Sequence, residues 1–179
     1  MNDPSLLVRT NRLMENGDLE KLRVAFKPSK IVLLLVGESP PPHRGFFYDP
    51  TVPEGQLSRN TRKTFQDQFR IEYADRRAFL NDFQAKGCYL FDLFKQRGKT
   101  FPTTTKEERN LAIEELGSFL QAGKPSLVVS TLRRISGLVE EAVKISQLTV
   151  EYRSLPYPTR QYIPEYSSSL GAILSDLNL

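Results

Sequence analysis

Residues 31–42 read Ile-Val-Leu-Leu-Leu-Val-Gly-Glu-Ser-Pro-Pro-Pro. The first six are apolar without a break, so both faces of that segment must be covered. A short run of this kind suits a central parallel strand with helices on each side. Gly37 ends the run. Pro40, Pro41 and Pro42 cannot continue a strand ladder or a helix, because they lack the N–H and fix φ. Residues 38–58, which also hold Pro50 and Pro53, are expected to form a long loop.

Outward from this strand, the chain alternates. Pro4–Phe26 carries Leu6, Leu7, Leu13, Met14, Leu19, Leu22 and Val24 among charges, which predicts one or two amphipathic helices broken near Asn16-Gly17. Thr61–Phe69 and Asp75–Ala85 read as helices, and Cys88–Leu93 as a second strand. Thr105 with Glu108 three residues on forms a capping-box pattern, which predicts a helix to about Gln121 that stops at Gly123-Lys124-Pro125. Leu127–Val129 is a third strand, Leu132–Lys144 a helix, Leu148–Tyr152 a fourth strand and Pro164–Leu177 a closing helix. Alternation of this kind builds a three-layer α/β/α sandwich around a central, mainly parallel four-stranded sheet. The 179 residues suit one domain, with residues 1–28 as its N-terminal helical segment.

Composition narrows the chemistry. Lys and Arg total 25 against 21 Asp and Glu, a net charge of +4, which permits a nucleic-acid partner without requiring one. One cysteine, Cys88, excludes an intrachain disulfide, a cysteine-based zinc site and a cysteine-held iron–sulfur cluster. One histidine, His43, excludes chemistry that needs two. Charges interrupt every stretch before the roughly 18 apolar residues of a membrane span. The expectation is a cytoplasmic monomer with no membrane partner.

Sites in parallel sheets lie beyond the carboxyl ends of the strands, at the topological switch point. Residues 37–53, 92–102, 130–134 and 154–162 should meet there. Two nucleotide motifs fail. Gly98-Lys99-Thr100 imitates a phosphate loop, but Leu93 stands where its first glycine belongs. Gly37 opens Gly-Glu-Ser-Pro-Pro-Pro rather than a glycine-rich fingerprint, and the prolines remove the N–H donors a pyrophosphate needs.

What remains is a carboxylate, Glu38, directly after a strand, in a loop stiffened by prolines. It is placed to position or deprotonate water. Gly37 would let the backbone turn tightly beside a ligand. Phe46, Phe47 and Tyr48 follow in a loop expected to be exposed, where a planar base stacks on a ring for about 1–3 kcal/mol. The alternative is that these rings anchor the loop on the core. Lys95, Arg97 and Lys99 form a run without acids, suited to phosphate contacts. Tyr157 and Tyr162 flank Arg160 in the last loop.

Taken in order, IVLLLVGESPPPHRGFFY (31–48), CYLFDLFK (88–95), LGSFLQAGKPSLVVSTLRRI (116–135) and LPYPTRQY (155–162) resemble the uracil-DNA glycosylase superfamily, over about Lys30 to Leu174. The resemblance implies a DNA-repair hydrolase that acts on a flipped-out base without metal or organic cofactor. It carries Glu38 to the water-positioning carboxylate, Phe46 or Phe47 to the stacking ring, and Asp92 to the base-reading position usually held by Asn. Leu155 falls where the family has a histidine that stabilises the departing base. Loss of one such donor costs on the order of 10²–10³ in rate. His43, five residues after Glu38, is the candidate replacement. An ionised Asp92 only accepts hydrogen bonds, so it should prefer a base with an exocyclic amino group.

The assignments are therefore Glu38 and His43 for catalysis, Gly37, Phe46, Phe47 and Asp92 for the base, and Arg44, Lys95, Arg97, Lys99, Tyr157 and Arg160 for nucleic acid. The function expected is hydrolysis of the N-glycosidic bond of a base that need not be uracil. The alternatives are a non-catalytic nucleic-acid or nucleobase-binding module that keeps the pocket, and a protein acting on a free nucleoside.

Overall fold

The computed structural model describes residues 16–43 and 45–179. Its elements are, in chain order, α1 (Asn16–Ala25), β1 (Leu33–Gly37), α2 (Gln56–Phe69), α3 (Arg76–Ala85), β2 (Cys88–Asp92), α4 (Lys106–Gly123), β3 (Leu127–Ser130), α5 (Ser136–Ile145), β4 (Glu151–Ser154) and α6 (Ile163–Asp176). The four strands form one all-parallel sheet in the order β2-β1-β3-β4. Six helices flank it, which gives an α/β/α sandwich. Residues 4–15 of the expected N-terminal helices lie outside the described residues, and α1 begins where a break was expected.

The continuous apolar run does what its composition requires. Leu33, Leu34, Leu35 and Val36 are fully buried. Each such side chain contributes about 1.5–3 kcal/mol when removed from water. The order of the strands then fixes the layers. From β1 the chain moves outward to β2 through α2 and α3, and then reverses past β1 to β3 through α4. With right-handed crossovers, these two connections lie on opposite faces. Accordingly α2 packs with α6, and α4 with α5. A buried bond between Thr61 Oγ1 and the Tyr166 hydroxyl, 2.7 Å long, joins the α2–α6 pair.

α4 starts as the capping box demands. Glu108 N–H donates to Thr105 Oγ1 (3.2 Å), and Thr105 N–H donates back to the Glu108 carboxylate (2.8 Å). The last strand departs from expectation. The ladder with β3 runs from Leu127–Glu151 to Ser130–Ser154, about three residues after the apolar stretch that suggested it. β4 is a partly exposed edge, so main-chain pairing rather than two-sided burial defines it.

The opposite edge explains the largest correction to the aromatic triplet. Phe46, Phe47 and Tyr48 are buried, not exposed. The Tyr48 hydroxyl reaches the outer side of β2, where it accepts from Leu90 N–H (2.6 Å) and donates to Leu90 C=O (3.1 Å). An open sheet edge presents unpaired groups of this kind, and one side chain satisfies two of them. Phe47 packs against Phe79 and Phe83 of α3, with ring centroids 6.2 and 5.3 Å away. From α3, the Arg76 guanidinium donates to the carbonyls of Phe46, Phe47 and Val52 and ties the whole loop down.

Candidate active site

The strand order reverses between β1 and β3, and both of their carboxyl ends open into one cavity of about 650 Å³. Gly37 lines it from the end of β1, Glu38 and Pro40 from the loop that follows, and Thr131 and Arg134 from the segment after β3. Leu90 and Asp92 contribute from β2, Pro156 and Tyr157 from the segment after β4. The first turn of α2 closes one side through Gln56, Leu57 and Ser58. All four segments expected at the carboxyl end contribute residues.

Glu38 is held at this switch point by groups from two other segments. Phe101 N–H donates to Glu38 Oε1 at 2.8 Å. Arg134 grips the carboxylate with two nitrogens, Nε to Oε1 at 2.8 Å and a terminal nitrogen to Oε2. The Glu38 side chain is 11% exposed and the Arg134 side chain 47%, so the carboxylate is covered while its partner faces solvent. The hydrogen bond to Glu38 raises the Arg134 guanidinium above its usual value. Tyr157 stands near enough for the Glu38 charge to add to burial in raising its phenol.

Asp92 has the opposite setting. It is 4% exposed, and Oδ2 accepts from Arg23 of α1 at 2.7 Å in a pair buried on both sides. Burial pushes the Asp92 carboxyl up against the pull of Arg23. Arg23 lies over the Phe46 ring, 5.1 Å from its centroid, with its Nε buried and without a hydrogen-bond partner. Gly37, which pairs with Asp92 in register, leaves room for that carboxylate; a Cβ there would stand 3.4 Å from Asp92 Oδ1. The tight turns assigned to Gly37 fall elsewhere. Gly45 has φ 89°, and a Cβ on Gly55 would lie 2.8 Å from the Gly45 carbonyl oxygen, so the long loop closes on itself through two glycines.

The cavity thus brings together Gly37, Glu38, Phe46, Phe47, Asp92 and Tyr157. Phe46 and Phe47 belong to its wall, with their faces used in core packing rather than offered to a ligand. His43 is not brought in. Its residue is exposed, it does not line the cavity, and its carbonyl accepts from Arg97 at 3.2 Å. Arg160 is exposed and also outside the lining, and Arg44 lies outside the described residues. Leu155 is buried.

The expected phosphate run is turned to internal work. Lys95 donates to the Asp92 carbonyl (3.1 Å) and lies 3.4 Å from the Phe91 ring centroid. Arg97 donates to the Pro41 carbonyl (2.9 Å), and Gly98 N–H to that of Pro40 (2.8 Å). Lys99 pairs with Glu108 at 2.7 Å. Arg97 and Gly98 thus clamp the proline loop, and Phe94 N–H donates to the Glu38 carbonyl at 2.8 Å.

Two residues that shape the site, Arg134 and Arg23, were not among the assigned residues. Arg134 had a signal, a cation just past a strand end. Arg23 had one as well: with Leu19 and Phe26 it completes an i, i+4, i+7 stripe, the buried face of α1.

Among the described residues no group of three or more His, Cys, Asp or Glu is placed to hold a metal ion, and no helix is long and apolar enough to cross a membrane. No family model matches the chain, and no curated protein matches it in sequence.

Proposed function

We propose that the cavity receives a nucleobase and that the chain hydrolyses the N-glycosidic bond joining it to its sugar. The observation that carries this reading is the pair of carboxylates on neighbouring strand ends, a Glu38 held by a rim arginine and an Asp92 held by a sealed one, in one cavity of about 650 Å³. Cavities of this size suit a ligand with a ring system. In this reaction the C1′–N bond breaks with its electron pair leaving on the base, and positive charge develops on the sugar. Water bonds to C1′, and its proton passes to solvent or to the base. Glu38, fixed from two sides, positions that water and faces the developing charge. Fixed dipoles and charges of this kind act without reorganising during the reaction.

Asp92 reads the base. With Oδ2 engaged by Arg23, the carboxylate accepts rather than donates, so an exocyclic amino group is the favoured partner over a carbonyl such as the uracil O4. A second reading, a base-binding module without chemistry, draws support from one observation: both Glu38 oxygens already have partners in the free protein.

The test is incubation with single- and double-stranded oligonucleotides carrying uracil, hypoxanthine, xanthine or amino-bearing damaged bases, followed by alkali to break abasic sites. Cleavage that disappears in Glu38→Gln supports the hydrolase. Binding without cleavage supports the module. A panel in which uracil outcompetes the amino-bearing bases contradicts the role given to Asp92.

A further inference from the structure

We infer that the outer face of α2 carries the phosphate backbone of a nucleic acid away from the cavity mouth. This rests on the nucleic-acid reading above but on different residues. α2 lines the cavity with Gln56, Leu57 and Ser58, and its next exposed turn begins a second concavity of about 590 Å³ that contains Arg59, Arg62, Lys63 and Arg70. At 3.6 residues per turn Arg59, Arg62 and Lys63 fall on one side of the helix, and Arg70 follows as the residue that ends it. The other side, Thr61, Thr64 and Phe65, is buried, and Thr61 meets Tyr166 of α6.

The track has the right length and rigidity. From Arg59 to the end of α2 at Phe69 the helix rises about 15 Å at 1.5 Å per residue, and Arg70 extends it as the C-cap, which is the axial length of about five nucleotides on one strand. Arg62 is held in place, with a terminal nitrogen 2.9 Å from Glu54 Oε2 and the other 3.1 Å from Gln66 Oε1. Arg59 donates to the Glu54 carbonyl at 3.2 Å. Lys63 and Arg70 are exposed. Two acids, Asp67 and Glu72, also border the concavity, so four cations face two anions there. Glu54 lies behind Arg62, 13% exposed. In the run at Lys95–Lys99, by contrast, Lys95 is engaged by the Asp92 carbonyl, Arg97 by that of Pro41 and Lys99 by Glu108.

Binding of labelled oligonucleotides, single- and double-stranded, measured by anisotropy from 50 to 300 mM salt, tests the track. Each phosphate contact contributes about 0.9 to the slope of log K against log salt for a duplex and about 0.7 for a single strand. The triple variant Arg59→Gln/Lys63→Gln/Arg70→Gln should lower the slope by about 2.7 or about 2.1 accordingly, with at least a tenfold loss of affinity at the lowest salt. Lys63→Gln alone should give about a third of that slope change, which keeps the test informative if the triple variant fails to fold. Lys21→Gln/Lys106→Gln/Lys144→Gln, with the same net charge but changes elsewhere on the surface, should lower it by less than about 1. Equal losses in both triple variants would reduce the effect to net charge and overturn the track. An unchanged slope in the α2 variants, or no binding by the wild type at 50 mM salt, would overturn it too. Base release from a free nucleoside, measured in parallel, does not need the track and so separates its failure from that of the cavity.

Discussion

Glu38 and Asp92 are neighbours at the carboxyl end of the sheet, and each is paired with an arginine, yet the two pairs differ in kind. Asp92 and Arg23 are sealed, with side chains 6% and 4% exposed. Glu38 is covered, but its Arg134 is 47% exposed and stands in water. A sealed pair cannot exchange partners without opening the core, whereas a rim arginine can turn toward a ligand. Under the proposed function the first pair holds α1 on the sheet and presents a fixed acceptor, and the second serves chemistry at the mouth.

The largest effect expected from breaking either pair is on the sealed side. Arg23→Met leaves the Asp92 charge buried without compensation, which costs about 3–5 kcal/mol of stability. Urea denaturation measures it, and a loss below about 1 kcal/mol would mean that the pair is open to solvent. The double variant Arg23→Met/Asp92→Leu sharpens the point. An apolar replacement of both partners is expected to recover most of that loss, because the desolvation cost of both ions disappears.

On the rim the same surgery should be mild. Arg134→Gln is expected to cost about 0–1 kcal/mol by the same denaturation, as for exposed pairs in general. A loss comparable to that of Arg23→Met would erase the distinction between the two pairs. The smallest effect is one of pH. Asp92 is raised above its ordinary 3.8 by burial, so between that value and its folded value the folded state binds more protons than the unfolded. Its contribution to stability therefore falls as pH rises through that window. Stability profiles of the wild type and Asp92→Asn should differ in slope there and run parallel well above it; parallel profiles throughout would contradict the shift.

Much of the fold could be read from the sequence, because two-sided burial leaves a plain mark. Ile31–Val36 announced β1, and Thr105 with Glu108 announced the start of α4. The Pro-rich segments marked the loops of the site, and Glu38 followed from its place after the strand. What escaped was decided by tertiary partners. The burial of Phe46, Phe47 and Tyr48 depends on an open β2 edge that only the strand order reveals. Lys95, Arg97 and Lys99 look free in sequence because their partners, a carbonyl of Pro41 and the carboxylate of Glu108 among them, are supplied by other segments. His43 follows Glu38 closely along the chain, but the loop between them carries it to the exterior.

In the proposed function Glu38 serves chemistry while the sealed pair serves structure and base reading. Single-turnover base release from an oligonucleotide, measured beside the dissociation constant of the same complex for wild type and Glu38→Gln, tests it most directly. The rate should be at least about 10²-fold lower in the variant, with affinity changed by less than about threefold. Equal rates in the two proteins, or a loss confined to affinity, would contradict it.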